Sequence, residues 1–315
     1  MRIIVTELKD GGGRFKHLVD GWEDPGPLAP NQIKTKTLYS GVTNGTERND
    51  LLGGNYCKPD EMLPQPWGYQ NVGEVVEIGS EVTKLKLGDI VYSSADHVEY
   101  AVFDENFLFC VLPPEVDQRE AALFGMTSVA MRTCRHADIR MGERVLVVGA
   151  GLIGQTAAQI ANVMGARVDI CDVNDERLEM ARKIGAAENA FNVSGEGWKT
   201  HVMEFSYNVI IDVAGVPDME DKLVAAAAHR GRILFIAGRR KVCYDFNQGQ
   251  GHEICIMQNS HFDNGDLANL CRLVARGQVT FKPYMRDIVP VAEAKGIYDK
   301  LRDTPEVLLG TVFEW

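Results

Sequence analysis

The glycine turn at residues 149–154 constrains the fold more than any other feature of this 315-residue sequence. It lies between an apolar run, RVLVV, and a stretch of small residues, LIGQTAAQIANVMG. The first has the composition of a buried strand, and the second has helical spacing. The alternation continues through ARVDICDV, NDERLEMARKIG, NVIIDV, MEDKLVAAAAHRG and RILFIAG, and Asn174 is the predicted cap of the helix NDERLEMARKIG. Strands that alternate with helices predict a parallel sheet covered on both faces.

The spacing of this turn, G-x-G-x-x-G, is typical of a dinucleotide-binding site when a strand precedes it and a helix follows. The first glycine permits the tight turn, the second lets a pyrophosphate approach the backbone, and the third lets helix and strand pack closely. The helix N-terminus offers free N–H groups to the phosphates. The residues predicted to bind the cofactor here are Gly149, Ala150, Gly151, Leu152, Ile153 and Gly154.

An acidic residue ends the next predicted strand, where a dinucleotide presents its adenosine ribose. Asp172 follows Gly154 by 18 residues. A carboxylate there accepts hydrogen bonds from the ribose hydroxyls and repels a 2′-phosphate, which favours NAD over NADP. Val173 and Arg177 are predicted to add contacts on the adenosine side. The alternatives are a structural glycine turn with a chance acid, and an Arg177 that is only a solvated helix residue.

The rest of the chain has a different texture. Its first 115 residues or so are rich in predicted strands, among them MRIIVTEL, NQIKTKTLYSGV, NVGEVVEIG, GDIVYSS and HVEYAVF. A helix is predicted over EAALFGMTSVAMRTCR, before the alternating region. After Ser260 the sequence predicts the helices GDLANLCRLVARG and VAEAKGIYDKLRD and a final strand, VLLGTVFEW.

Composition limits the possible partners and the compartment. The formal net charge is −11, with 33 Lys and Arg against 44 Asp and Glu, which argues against binding nucleic acid. No apolar run approaches the roughly 18 residues of a membrane span, and the first residues lack the apolar region of a signal peptide. Seven scattered cysteines form no C-x-x-C pair. We therefore expect a cytoplasmic protein with reduced thiols and a small-molecule substrate.

Three stretches resemble a known family: GYQNVGEVVEIGSEV, KLKLGDIVY and RMGERVLVVGAGLIGQTAAQIA. In the first stretch, Gly68, Gly73, Gly79 and Val82 fall at the spacings of the family's zinc signature. With the three in this order, the chain resembles the medium-chain dehydrogenase/reductases, which include the zinc alcohol dehydrogenases, over nearly its whole length. The resemblance implies an α/β fold, with a GroES-like β-rich catalytic domain (1–124 and 260–315) and a doubly wound Rossmann domain (125–259).

The resemblance also implies contacts to the nicotinamide half of the cofactor. Family members place these at the ends of successive strands and at the start of a helix. The implied residues are Ser128 with its neighbour Thr127, Val213, Ala214, Gly215, Ile236, Ala237, Gly238, Gln258 and Asn259. The strand HEICIMQNS near the sheet edge resembles the one that pairs across the two-fold axis in family dimers, so a homodimer is expected.

The chain departs from the family where the family binds its catalytic zinc. Tyr69 stands in place of the ligand His, and Gln70 replaces the Glu that follows it. The first ligand Cys falls on Asn44, or on Thr43 with a small shift, and the third ligand falls at 124–125. These residue types are not zinc ligands, and the four-cysteine structural lobe is also missing. We expect no metal, although the fragment HEIC at 252–255 with a later histidine leaves a second reading open.

Without zinc, a hydrogen-bond donor has to stabilise an alkoxide that develops during reaction. The resemblance places Thr46 at the family's proton-relay hydroxyl, and it directs the Tyr69 phenol toward the replaced metal position. We predict Tyr69 as acid or oxyanion donor and Thr46 as relay or orienting group, with Asn44 and Glu47 as secondary candidates. The alternatives are a Tyr69 that fills a cavity and a Thr46 that only forms a turn. His97 is predicted to be an exposed surface residue.

The pair SGVTNGTERND and GYQ resembles a zinc-lacking subgroup that includes the bacteriochlorophyllide dehydrogenases. That resemblance implies the interconversion of a secondary alcohol and a ketone with NAD(H) and without zinc. One alternative is an enoyl or quinone reductase that uses NAD(P)H. Another is a dinucleotide-binding protein without catalysis.

Overall fold

The chain packs into two compact units. The computed structural model describes residues 1–55 and 57–315. The first unit contains Met1–Gly125, Cys271–Arg276 and Phe281–Trp315, and the second contains Met126–Leu270 and Gly277–Thr280. These are units of packing, and the domain limits given above stay a prediction.

Each predicted strand forms at least in part, and the structure adds strands that were not predicted from the sequence. In the described part of the chain they are β1 Ile3–Leu8, β2 Arg14–Val19, β3 Gln32–Gly41, β4 Gln65–Pro66, β5 Asn71–Ile78, β6 Ile90–Ser93, β7 Tyr100–Asp104, β8 Phe109–Val111, β9 Arg144–Val148, β10 Arg167–Asp172, β11 Asn189–Asn192, β12 Tyr207–Asp212, β13 Ala227–Phe235, β14 Cys255–Met257, β15 Ile288–Pro290 and β16 Val312–Glu314.

The α-helices of the same residues are α1 Asn44–Leu51, α2 Gln118–Ala121, α3 Phe124–His136, α4 Leu152–Val163, α5 Asp175–Lys183, α6 Gly197–His201, α7 Glu220–Ala226, α8 Phe246–His252, α9 Asn264–Ala275 and α10 Ala294–Asp303. Short 3₁₀ helices occupy Asp60–Met62, Lys282–Tyr284, Val291–Glu293 and Pro305–Val307. None of the helices in the described residues is long and apolar enough to span a membrane.

The first unit is built on two sheets. The smaller has the order β2-β1-β4, and all its pairs are antiparallel. The larger has the order β15-β16-β3-β5-β6-β8, and β7 also pairs with β3. In the larger sheet, α10 covers an apolar cluster that includes Val42, Leu51, Ile297, Leu301 and Phe313. This packing fixes α1, which directly follows β3, against the sheet.

The second unit is one sheet of six strands in the order β11-β10-β9-β12-β13-β14. Each neighbouring pair is parallel. This is the doubly wound arrangement, in which the strand order reverses beside β9, and the predicted parallel sheet is confirmed. Leu146, Ile210, Leu223 and Ile233 are fully buried, as expected for strands and helices that pack face to face.

Two predicted helices have different limits in the structure. The prediction over EAALFGMTSVAMRTCR is divided, because α2 ends at Ala121 and α3 begins at Phe124. The predicted helix MEDKLVAAAAHRG is too long, because α7 ends at Ala226 and β13 already begins at Ala227. The run of four alanines favours a helix, but pairing between Tyr207 and Ala227 draws the chain into the sheet.

Candidate functional site

The predicted cofactor residues of the second unit gather at one edge of its sheet. Gly149 follows β9, Asp172 ends β10, and Asp212 ends β12. Ile236 follows β13, and Gln258 follows β14. Because these strands are parallel, their carboxyl ends meet at the same edge, which is where doubly wound sheets bind ligands.

The three glycines of the turn differ in what surrounds them. Gly149 has a φ of +104°, which a side chain rarely adopts. A Cβ on Gly154 would lie 1.8 Å from the Gly149 carbonyl oxygen, so no other residue fits between helix and strand. A Cβ on Gly151 would meet no atom within 4 Å. The backbone at Gly151 is therefore open in the way that close approach of a phosphate needs.

The Asp172 carboxylate organises the turn beside the glycines. One oxygen accepts the Ala150 N–H at 2.6 Å. The other accepts the N–H groups of Val173 at 2.7 Å and Asn174 at 2.9 Å. Asn174 in turn caps α5, as predicted, by accepting from Glu176. Leu152 begins α4, and both Leu152 and Ala150 are buried.

The other predicted residues on the adenosine side are less constrained. The Val173 side chain is 66% exposed. Arg177 lies on α5 and is half-buried, and its carbonyl oxygen accepts the Gln155 side chain at 3.1 Å. Within residues 1–55 and 57–315, the Arg177 guanidinium forms no hydrogen bond or ion pair.

Two polar side chains of the second unit are buried without a hydrogen-bond partner in the described residues. These are the Ser128 hydroxyl on α3 and both atoms of the Asn259 amide after β14. Buried polar groups are nearly always satisfied, so each of these needs an explanation. Thr127 is buried, Gln258 is exposed, and both lie next to these side chains in the sequence. A polar ligand would provide the missing partners.

In the first unit, Asn44 and Thr43 were the two candidates for the position of the family's first ligand Cys. Of these, Thr43 and not Asn44 contacts Gln70, the neighbour of Tyr69. The buried Gln70 amide donates to the Gly41 carbonyl oxygen at 3.1 Å and to the Thr43 hydroxyl at 3.4 Å. Asn44 begins α1, and its amide donates to the Leu308 carbonyl oxygen at 3.0 Å. The smaller register shift considered above is therefore the one that the contacts favour.

Gly125 packs directly against the residues that replace the ligand His and its neighbour. A Cβ on Gly125 would lie 2.7 Å from Gln70 Cγ and 2.9 Å from Tyr69 Cδ2. It would also lie 2.7 Å from the Tyr92 hydroxyl. The Tyr92 hydroxyl donates to the Tyr69 carbonyl oxygen at 2.7 Å, which holds the backbone that carries the Tyr69 ring. We call Thr43, Tyr69, Gln70 and Gly125 the replaced-ligand group.

Thr46 lies on α1, three residues after Thr43, and is half-buried. None of the hydrogen bonds within the described residues involves its hydroxyl, which is therefore available to a ligand. The orientation of α1 decides where this hydroxyl points.

Glu47 fixes that orientation from inside the unit. It is fully buried, and it accepts the Thr43 N–H at 2.6 Å and the Tyr298 hydroxyl at 2.6 Å. His97 Nε2 lies 3.3 Å from the same carboxylate. Burial alone would raise the pKa of Glu47, but His97, Lys16 and the Thr43 amide together lower it below its ordinary value. Glu47 is thus a buried carboxylate that anchors α1.

The prediction for His97 is wrong, because the side chain is fully buried. Its Nδ1 lies 2.8 Å from the Ser40 hydroxyl, opposite the contact to Glu47. Sequence reasoning also missed Tyr298. The apolar spacing of Ile297 and Leu301 in α10 signals a buried face, and Tyr298 lies on that face. No sequence signal pairs His97 with Glu47, because the two lie 50 residues apart.

The HEIC fragment has structural roles. His252 is buried, and its Nδ1 lies 2.9 Å from the Ala227 carbonyl oxygen. Glu253 forms an exposed ion pair with Arg230 at 2.8 Å. His261 Nδ1 lies 3.2 Å from the Phe262 carbonyl oxygen. Over residues 1–55 and 57–315, no group of three His, Cys, Asp or Glu side chains has the arrangement of a metal site.

Comparison with known proteins matches these features to one family. Residues 153–276 match the profile of the family described as zinc-binding dehydrogenase. The L-threonine 3-dehydrogenase of Cutibacterium acnes is 30% identical over 250 residues, which are 68% of this chain and 72% of that protein. The chain belongs to the zinc-binding dehydrogenase family. The resemblance to medium-chain dehydrogenases is confirmed at this level, and the protein is an oxidoreductase of the alcohol dehydrogenase type.

Solved structures of dehydrogenases share the fold. The 2R,3R-butanediol dehydrogenase from Bacillus subtilis has a TM-score of 0.85 at 17% identity, with all of both chains covered. The alcohol dehydrogenase TADH from Thermus sp. ATN1 has a TM-score of 0.83 at 18% identity and covers 100% of this chain and 99% of its own. The predicted α/β class, a GroES-like region with a Rossmann domain, is thereby confirmed. At these identities the likeness concerns the fold alone.

Proposed function

We propose that this chain is an NAD(H)-dependent oxidoreductase that interconverts a secondary alcohol and a ketone without zinc. The observation that carries the proposal is the replaced-ligand group, in which Tyr69 stands where the family has a metal-binding histidine. The substrate belongs to the class of small molecules with a hydroxyl or keto group. The similarity to the zinc-lacking subgroup, which includes the bacteriochlorophyllide dehydrogenases, supports the reaction class and leaves the substrate open.

The chemistry of the replaced-ligand group does not fit zinc. Structural and catalytic zinc sites use cysteine sulfur, histidine nitrogen or carboxylate oxygen. The corresponding positions here provide a hydroxyl from Thr43, a phenol from Tyr69 and no side chain from Gly125. A cysteine at Gly125 would need Tyr69 and Gln70 to move, since its Cβ alone would lie closer than 3.0 Å to both.

The turn around Gly149 fits a dinucleotide. The free N–H groups at the start of α4, the open backbone at Gly151 and the Asp172 carboxylate match the pyrophosphate and ribose of NAD. The unpartnered Ser128 hydroxyl and Asn259 amide offer further hydrogen bonds. When bound, NAD(H) supplies the hydride acceptor or donor. We propose the residues predicted from the sequence, including Arg177 and the turns at 213–215 and 236–238, as its contacts.

The protein's part in the reaction is to hold a proton beside the substrate oxygen. A phenol with an ordinary pKa near 10 donates a hydrogen bond to a developing alkoxide at neutral pH. Tyr69 is proposed for this role, and its backbone is held by the Tyr92 hydroxyl. The accessible Thr46 hydroxyl is proposed to relay the proton, while Glu47 keeps α1 in place. Asn44, whose amide is bonded to Leu308, is the weakest of the four candidates.

The experiment is a screen of secondary alcohols, polyols and ketones with NAD(H), on protein whose zinc content has been measured. Turnover by zinc-free protein, unchanged by a chelator, supports the proposal. One zinc per chain together with activity that a chelator abolishes contradicts it. Titration with NADH and NADPH tests the cofactor separately, because tighter binding of NADPH would refute the role given to Asp172.

Two alternatives have their own signatures. An enoyl or quinone reductase would reduce a conjugated double bond or a quinone, and the Asp172 carboxylate argues against the NADPH that such a reaction often uses. A binding protein without catalysis would bind NADH and turn over nothing in the screen. A homodimer formed along β14, a cytoplasmic location and the absence of a nucleic-acid partner also stay proposals.

A further inference from the structure

At the sheet edge of the second unit, the buried Asp212 forms an ion pair with the half-buried Arg239, and neither residue was among those predicted from the sequence. Asp212 is the last residue of β12 and is 1% exposed. Its Oδ1 accepts the N–H groups of Ala214 and Gly215, each at 3.1 Å. The carboxylate therefore shapes the turn at 213–215, which directly follows its own strand.

The second oxygen of the same carboxylate reaches the turn after β13. Asp212 Oδ2 accepts Arg239 Nη2 at 2.5 Å. Arg239 Nε also donates to the Ala237 carbonyl oxygen at 3.3 Å, and its guanidinium lies 4.6 Å from the centre of the Phe235 ring. Glu220 lies 3.5 Å from Nη1 and adds a second acidic contact. We call this arrangement of Asp212 and Arg239 the clasp.

The two turns that the clasp joins also touch each other. Gly215 has a φ of +65°, and a Cβ there would lie 2.7 Å from the Ala237 Cβ. On its other side, the 213–215 turn reaches the glycine turn, since a Cβ on Gly149 would lie 3.2 Å from the Ala214 Cβ. The clasp thus fixes the spacing between three strand ends that are adjacent in the sheet.

A buried charged pair of this kind holds a precise geometry. Hydrogen bonds between a guanidinium and a carboxylate are shorter and stronger than neutral ones. The Asp212 carboxylate satisfies two backbone amides with one oxygen and the arginine with the other, so neither turn moves without breaking a charged bond. Asp212 and Arg239 lie 27 residues apart, so their ion pair joins the turns after two different strands and does not stabilise a single turn.

We propose that Arg239 is a positioning residue, which acts through Asp212 to hold the turns at 213–215 and 236–238 at the spacing that the nicotinamide half of NAD(H) requires. This rests on the proposed function, since those turns are proposed to contact the nicotinamide half. The adenosine half is assigned to Asp172 and the glycine turn, which have hydrogen bonds of their own. The clasp therefore affects the two halves of the cofactor differently.

The test compares NADH with ADP-ribose, which lacks the nicotinamide, in binding titrations on the full chain. Turns that shift would lose hydrogen bonds to the nicotinamide half, so we expect Arg239→Met to raise the Kd for NADH by about tenfold or more. The Kd for ADP-ribose is expected to change by no more than about twofold, as for independent sites. Arg239→Lys, which keeps the charge without the planar fork, is expected to restore part of the NADH affinity.

A second variant separates positioning from stability. Arg239→Met leaves a buried carboxylate unpaired, which destabilises the unit. The double variant Arg239→Met with Asp212→Asn removes that charge, so it should recover stability while its NADH affinity stays low. The matched control is Arg230→Met, which breaks the exposed pair with Glu253 in the same unit and should leave both affinities unchanged.

The outcomes are distinct. Weak NADH binding with normal ADP-ribose binding, in both the single and the double variant, supports the positioning role of Arg239. The positioning role is refuted if the double variant regains normal NADH affinity together with stability. It is also refuted if ADP-ribose binding falls as far as NADH binding. Unchanged NADH binding in Arg239→Met also refutes it, and leaves the proposed function standing. If the unmodified chain binds neither compound, the proposed cofactor fails, and the clasp fails with it.

Discussion

The two candidate regions use glycine in opposite ways. In the second unit, a Cβ on Gly151 would meet no atom within 4 Å, so the backbone stays open beside the start of α4. In the first unit, a Cβ on Gly125 would lie 2.7 Å from Gln70 Cγ and 2.9 Å from Tyr69 Cδ2. One glycine leaves space for a ligand, whereas the other leaves space for the protein's own side chains.

The comparison gives the Tyr69 ring two possible roles, and removing its hydroxyl decides between them. General acid catalysis contributes roughly 100- to 10,000-fold, so Tyr69→Phe should lower kcat by that range. NADH affinity should stay the same, because the ring remains in place. Steady-state kinetics and NADH titration measure both effects. Tyr100→Phe, at a half-buried tyrosine of the same unit, is the control, and equal turnover in the two variants would make Tyr69 a filling residue only.

The first unit should depend on its buried carboxylate Glu47 more than on a surface pair of the same unit. Glu47→Gln breaks the contact with His97 inside the protein, and we expect a loss of about 3 kcal/mol in the free energy of unfolding at pH 7. Urea denaturation measures it. Glu7→Gln, which breaks the more exposed contact to His17, should cost less than about 1 kcal/mol.

The loss of stability caused by Glu47→Gln should depend on pH. The pKa of Glu47 is lower in the folded protein than its ordinary value of 4.5. Its charge therefore stabilises the fold fully above that ordinary value, and the contribution is lost as the pH falls through the lowered pKa. The difference between the parent protein and Glu47→Gln should accordingly shrink below pH 4.5. A difference that stays constant down to that region and below would mean that the charge contributes nothing.

Adding one methyl group tests the crowded glycine directly. Gly125→Ala should destabilise the protein by about 2 kcal/mol, because overpacking a core costs roughly 1–3 kcal/mol. Gly296→Ala in α10 is the control, since a Cβ there meets nothing within 4 Å and alanine favours a helix. In thermal unfolding, Gly125→Ala should lower the midpoint temperature and Gly296→Ala should raise it. Equal stability in both would show that Tyr69 and Gln70 move aside easily.

The smallest effect on stability is expected at the open glycine. Gly151→Ala should change the free energy of unfolding by less than about 0.5 kcal/mol, as for an uncrowded site. It should nevertheless raise the Kd for NADH about tenfold, since a methyl group obstructs the pyrophosphate. Gly251→Ala in α8 is the control: it should leave the Kd for NADH unchanged and should not lower stability, because its Cβ meets nothing within 4 Å and alanine favours a helix. A loss of stability in Gly151→Ala without a change in NADH binding would mean that the backbone at Gly151 is crowded by the protein and not open to a ligand.

Local patterns predicted the second unit well because its signals lie close together in the sequence. The glycine turn, Asp172 and the Asn174 cap each depend on residues within one strand and one helix. The end of α7 could not be predicted in this way, because Ala227 joins β13 through its pairing with Tyr207, which is 20 residues away. Helix propensity carries no information about that pairing.

The first unit was harder to predict because its contacts are distant in the sequence. The resemblance located Tyr69, but only packing shows that Thr43 shares the Gln70 amide and that Asn44 turns toward Leu308. His97, the first residue of the predicted strand HVEYAVF, is buried. It was predicted to be exposed because the sequence does not reveal its partner Glu47. A pair separated by 50 residues leaves no periodic signal for either member.

The three backbone bonds to Asp172 link the proposed preference for NAD to the local folding of the chain. Replacing this carboxylate to admit a 2′-phosphate would also strip an acceptor from the amides of Ala150, Val173 and Asn174. A redesign toward NADP would therefore have to supply a new acceptor for those amides before any gain in selectivity appears.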